Sequence, residues 1–167
     1  SDNGPNDETD NGSNNDTENS DESDEPFNPY AGVYSGDFMV VYGWGEEEWE
    51  NSETCSGTLE ITVADDNSYS GSTICSVTVN GWDTENNTWG YTEDWDYTFT
   101  GVLTEENNGA VTQGTMTSTS PQGDAYPTDL FGSCEQVNQQ VGMTLNWEFP
   151  SGDGFNSWVG SAEVWKN

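Results

Sequence analysis

The sequence has no arginine and no histidine, and Lys166 is its sole basic side chain against 32 acidic ones. Without histidine there is no near-neutral general base and no neutral imidazole ligand for a metal. Without arginine there is no planar, bidentate clamp for an oxyanion or phosphate. Ser/His/Asp and Cys/His catalysis therefore cannot be assembled. A formal charge of −31 repels phosphate backbones and anionic lipid headgroups, so nucleic acid and a bare membrane surface are not expected partners. No run of 18 or more apolar residues occurs, so no membrane-spanning helix is expected. No apolar signal core opens the sequence at Ser1, and an exported protein would here stand in its mature form. No cofactor motif is legible. The acidity has a simple physical reading: hydrated carboxylates keep a protein soluble in salty surroundings, where their mutual repulsion is screened.

What is present divides unequally. Ser1 to Pro29 carries ten acidic residues, no basic ones and a single aromatic, Phe27. Such a stretch buries too little apolar area to offset the entropy of ordering it, so residues 1–29 are expected to be a disordered acidic tether. The run Asp7 to Gly12 has calcium-loop composition, but it lacks the alternating ligand spacing and the final bidentate Glu, which leaves nonspecific cation screening as the better reading. Residues 30–167 are aromatic-rich and long enough to bury a core of their own. Three cysteines, Cys55, Cys75 and Cys134, match no zinc or redox spacing. A structural disulfide is expected, and with it an oxidising compartment. A polar, acidic linker ahead of a compact β domain resembles the layout of mature bacterial surface lipoproteins. That resemblance implies an extracytoplasmic place, secreted or at the cell surface or outer membrane, with any lipid anchor on a cysteine preceding Ser1.

Beyond Tyr34 the chain alternates apolar and polar residues and repeatedly sets a glycine ahead of such a run, as in Tyr34-Ser35-Gly36 and Tyr69-Ser70-Gly71. Period-two alternation without helical periodicity predicts an all-β domain. The expected strands cover 33–44, 54–63, 67–79, 89–104, 110–119, 126–136, 140–149 and 156–166. Facing residues must share a side of the sheet, which allows registers to be proposed. A loop of Ala64 to Asp66 sets Ile61 against Tyr69 and Cys55 against Cys75. An Asn108-Gly109 turn sets Leu103 against Gly114 and Phe99 against Ser118. A loop of Ser151 to Gly154 sets Trp147 against Trp158 and Leu145 against Gly160. Short connections between about eight antiparallel strands predict an up-and-down barrel, with a two-sheet sandwich as the alternative. Inward glycines facing large residues favour the strong coiling of a closed sheet.

The pattern resembles the calycin-like barrels, the lipocalin and avidin superfamily. Their first strand opens on a Gly-x-Trp phrase, and a cation from the last strand packs across it. Gly32-Val33-Tyr34 stands at that place here, with Tyr for Trp, and Lys166 stands where the family has Arg. The resemblance implies a packed Lys166 and, by analogy, small-ligand binding; the residues alone read Lys166 as a solvated terminal side chain.

The stretch from Trp82 to Trp95 alternates aromatic residues with carboxylates and amides. Aromatic planes stack on the apolar faces of sugar rings while Asp, Glu and Asn bond hydroxyls, so Trp82, Trp89, Tyr91 and Trp95 form the candidate ligand-binding set. The competing reading is that these rings fill the core or cover a barrel mouth. Overlaying a calcium loop on Asp83, Glu85, Asn87 and Asp94 puts Thr88 where glycine is required, and Glu46 to Glu50 reads as a solvated loop. Glu60 and Glu148 are the carboxylates a glycosidase would need, yet their parity points away from the apolar face. Cys134 is left as a buried small residue, an intermolecular link or a rival partner for Cys55 or Cys75. The expected function is a noncatalytic, tethered β domain of the cell envelope that binds a small ligand, a glycan or an envelope protein. A carbohydrate-binding module is the alternative and a glycoside hydrolase the remoter one.

Overall fold

The computed structural model describes Ser1 and residues 28–44, 51–82, 88–106, 109–150 and 156–167; the leader and its Asp7 to Gly12 run, apart from Ser1, Asn28 and Pro29, lie outside the described residues. Eight strands follow in chain order: β1 (Gly32–Trp44), β2 (Asn51–Val63), β3 (Ser68–Trp82), β4 (Thr88–Glu106), β5 (Gly109–Thr119), β6 (Ala125–Val137), β7 (Gln140–Pro150) and β8 (Asn156–Lys166). Each pairs antiparallel with the next, and β8 returns to β1 through a register running from Tyr34–Lys166 to Trp44–Asn156. The sheet is thus the expected closed, up-and-down barrel, compatible with a calycin-like fold, and the sandwich alternative is ruled out.

Alternation explains which face is inside. On β4, Tyr97, Phe99 and Leu103 are buried, while Asp94, Asp96, Thr98 and Thr100 between them are exposed. A barrel in lipid has the reverse arrangement, apolar outward. Large aromatic side chains meet across the interior. Phe38 stacks on Trp147 at 5.9 Å between ring centroids and meets Tyr97 edge-on at 5.2 Å, and Phe99 meets Trp147 edge-on at 5.4 Å. These four rings form a layer across the barrel, with Leu59, Ile61, Leu130, Leu145 and Val164 among the buried aliphatic residues around them.

One end is closed by the chain that enters it. Asn28 donates from Nδ2 to the carbonyls of Ala64 and Asp65 and to Oδ1 of Asn67, and the Tyr34 hydroxyl donates to the Tyr30 carbonyl at 2.6 Å. The Lys166 stem lies against Gly32, where a Cβ would come within 2.8 Å of Cε, and its ammonium donates to the Pro29 carbonyl at 2.9 Å. Lys166 is therefore packed, as the calycin resemblance implies, rather than free in solvent. Asn28 and Pro29, placed by sequence in the tether, belong to this plug. Cys134 is free and fully buried beside the Tyr34 hydroxyl, and burial pushes its thiol pKa up.

The three proposed hairpin registers are each displaced by two residues. Observed partners are Ile61 with Gly71, Gly101 with Gly114, Phe99 with Met116, and Trp147 with Gly160. A shift of two leaves every side chain on its own face, so apolar alternation cannot detect it. Local chemistry decides instead. In the β2–β3 turn Asn67 takes a left-handed φ of 67°, and the Asp66 carboxylate accepts from the Ser68 amide, which moves the loop to Asp65–Asn67. In the β4–β5 hairpin the last pair is Glu106–Gly109, so Gly109 belongs to the strand and the connection is 107–108, outside the described residues. The loop of Ser151 to Gly154 also lies outside them, following the last β7–β8 pair, Pro150–Ser157, in the chain.

Two seams of the barrel stop short. The β6–β7 ladder ends at Leu130–Trp147, although β6 begins at Ala125 and β7 continues to Pro150. The β2–β3 ladder ends at Glu60–Ser72, although β2 extends back to Asn51 and β3 on to Trp82. Beyond it, Cys55 and Cys75 form the expected disulfide, with Cα atoms 6.0 Å apart. Between ladder and disulfide β2 spends five steps and β3 three, an offset of two residues across the seam, and the Thr73 hydroxyl donates to the Thr58 carbonyl across the gap.

Candidate functional site

The mouth opposite the plug is built where these seams part. There the first residues of β6 and β8 and the last of β7 meet the stretch of β4 just before its pairing with β5 begins at Asp96–Thr119. Among the described residues four rings converge: Trp95 of β4, Tyr126 of β6, Phe149 of β7 and Trp158 of β8. Trp95 meets Trp158 edge-on at 5.3 Å and Tyr126 at 5.9 Å, and Trp158 lies 5.8 Å from Tyr126 and 5.7 Å from Phe149. All four are half-buried, in contrast to the fully buried layer of Phe38, Phe99 and Trp147 beneath them. The Trp95 indole donates to the Glu93 carboxylate at 2.8 Å, which fixes the ring's orientation and brings an acceptor to the rim.

Of the residues singled out from sequence, Trp95 is in this cluster. Trp89 and Tyr91 occupy the alternate positions of β4 that lead to Trp95, opposite Gly81 and Val79, and Trp82 pairs with Thr88 at the other parity. The side chains of Trp82, Trp89 and Tyr91 lie outside the described residues, as do Asp83, Glu85 and Asn87 of the calcium-loop overlay and the Glu46 to Glu50 cluster. Asp94, the remaining member of that overlay, is exposed and accepts from the Ser76 hydroxyl. Among the described residues no three His, Cys, Asp or Glu side chains come together as a metal site.

No protein-family model matches this chain, and neither curated proteins nor solved structures yield a similar one. The site must therefore be read from its own geometry.

Sequence reasoning missed Tyr126, Phe149 and Trp158. The signal for two of them was the last hairpin: in the observed register Phe149 faces Trp158, whereas the two-residue displacement had put Trp147 there. Trp147 instead lies under the mouth against Gly160, where a Cβ would come within 2.0 Å of the indole. Glu60 and Glu148 are exposed on the outer faces of β2 and β7, with β8 and β1 between them. Three strand spacings amount to roughly 14 Å, beyond the carboxylate separation that glycoside hydrolysis uses. The arrangement offers ring faces and edges at a rim, a fixed carboxylate acceptor beside one of them, and the aromatic layer beneath. It is suited to holding a flat or ring-shaped molecule at the mouth.

Proposed function

We propose that this chain is a noncatalytic binding domain that works outside the cytoplasm, held at a cell surface by its acidic leader in the manner of a bacterial surface lipoprotein, and that its aromatic mouth receives an uncharged, ring-bearing ligand such as a glycan. The observation that carries the reading is the half-buried cluster of Trp95, Tyr126, Phe149 and Trp158 above a fully buried aromatic layer. A core needs its rings covered, and the layer of Phe38, Tyr97, Phe99 and Trp147 already supplies that core. Further rings left half-exposed at one rim match the stacking surface a sugar ring requires. The disulfide supports an oxidising compartment, and the charge of −31 disfavours anionic ligands.

Titration of the intact protein with a panel of neutral polysaccharides, followed by tryptophan fluorescence, tests the reading. At least one glycan is expected to shift the emission, and Trp158→Ala should weaken that binding roughly tenfold or more while the near-ultraviolet dichroism of the core persists. Silence across the panel would sink the glycan assignment.

A further inference from the structure

The short seams divide the mouth half of the barrel into two leaves. Strands β3, β4, β5 and β6 remain laddered to one another up to Trp82–Thr88, Asp96–Thr119 and Thr119–Ala125. Strands β7, β8, β1 and β2 likewise remain laddered up to Pro150–Ser157, Trp44–Asn156 and Trp44–Asn51. Between the leaves the ladders stop at Leu130–Trp147 on one side and Glu60–Ser72 on the other. The aromatic cluster straddles this division: Trp95 and Tyr126 belong to the first leaf, Phe149 and Trp158 to the second.

The two seams are fastened differently. Across β2–β3 the Cys55–Cys75 disulfide is a covalent tie, buried on both sides, and Cys75 is the ladder partner of Trp95 itself. Across β6–β7 the contacts between described residues include a hydrogen bond from the Thr128 hydroxyl to the Glu148 carbonyl at 3.0 Å and ring contacts of Tyr126 with Phe149 at 6.5 Å and with Trp158 at 5.8 Å, beside the edge-on contact of Trp95 with Trp158 at 5.3 Å. Two leaves tied covalently along one edge and by weak, exchangeable contacts along the other have one soft direction of motion. Backbone ladders below both seams keep the base of the barrel closed.

We propose that the mouth opens along the β6–β7 seam, with the disulfide-held β2–β3 seam as its hinge, and that a ring-shaped ligand enters between the leaves, replacing the contacts that Tyr126 makes with Phe149 and Trp158. The ligand part rests on the aromatic mouth being the binding site; the opening itself does not. Opening separates the rings of the two leaves without breaking a strand ladder, so it belongs to the low-energy local motions rather than to unfolding.

Native-state amide exchange of the full chain, without ligand, tests the opening. In the wild type, the seam-facing amides among Ala125, Tyr126, Thr128, Asp129, Glu148 and Phe149 should exchange faster than the seam-facing amides of the laddered residues 131–136. Thr128→Val should speed the seam amides a further roughly fivefold, the effect of losing one hydrogen bond. Thr100→Val, on the exposed face of the uninterrupted β4–β5 ladder, should leave them unchanged. The same Thr128→Val protein should show greater acrylamide quenching of tryptophan emission, and the increase should vanish when Trp95 and Trp158 are both replaced by Phe. Seam amides protected as strongly as 131–136 and insensitive to Thr128→Val would overturn the proposal. A seam that opens in a protein that binds no glycan would leave the opening standing and remove the sugar assignment. A glycan that binds to a protein whose seam stays shut would remove the entry route and keep the site.

Discussion

At the scale of single residues, glycines and large side chains act as paired parts. Gly160 lies under the Trp147 indole and Gly71 under Ile61, while the Tyr69 hydroxyl lies over both Gly101 and Gly114. A missing side chain on one strand gives the neighbouring ring its place, which is how a narrow barrel accommodates Trp and Tyr in its wall. Gly160→Ala should therefore cost about 1–3 kcal/mol in denaturant unfolding, the usual range for overpacking. Because the three nearest atoms it would meet all belong to the Trp147 side chain, the same change in a Trp147→Leu background should cost distinctly less. A full cost in both backgrounds would show that the backbone, not the ring, sets the constraint. Tyr69 and Tyr97 provide a second handle. Burial pushes both phenols up to about 12, because the ionised form is penalised inside the barrel. Their unfolded counterparts ionise near about 10. The folded state then holds protons that the unfolded state has lost, so the stability these tyrosines contribute is whole below about pH 10 and falls as the pH rises through about 12. Alkaline unfolding followed by dichroism, with Tyr69→Phe and Tyr97→Phe each weakening the decline above pH 10, checks the sign.

At the scale of elements, most of the barrel was legible and the registers were not. Strict alternation in segments such as Tyr97, Phe99 and Leu103 located every strand to within a few residues and assigned its inner face. Displacement by two preserves alternation, so the pattern could not separate Trp147 facing Trp158 from Trp147 facing Gly160. The turn residues carried the missing information: Asn67 in a left-handed conformation, and Gly109 drawn into β5 rather than left in the turn. The cysteine pairing was nonetheless right, because the strands are offset by two residues between the end of the β2–β3 ladder and the disulfide, which cancels the displacement of the loop. Of the candidate site, Trp95 could be picked from its own strand. Tyr126, Phe149 and Trp158 are joined to it by closure of the sheet, and no local pattern encodes that. The disulfide, closing a loop with a sequence separation of 20, should contribute about 3 kcal/mol. Cys55→Ala with Cys75→Ala is expected to lose about that much in chemical denaturation and to loosen the β2–β3 edge before the rest. An unchanged midpoint would mean that the offset seam holds without its covalent tie.

At the scale of the whole molecule, an acidic exterior surrounds an apolar, ring-filled interior, and the two meet at one rim. The charge of −31 narrows partners by repulsion and the mouth narrows them by shape, so the account stands or falls on that rim being where a ligand sits. Fluorine NMR of protein labelled with 5-fluorotryptophan resolves this most directly, because Trp95 and Trp158 report from the mouth and Trp147 from the interior. During titration with neutral polysaccharides, the resonances of Trp95 and Trp158 should move together while that of Trp147, sealed against Gly160, stays in place. Resonances that stay fixed with every glycan, or a response that spares Trp95 and Trp158, would contradict the account and leave the aromatic rim as packing.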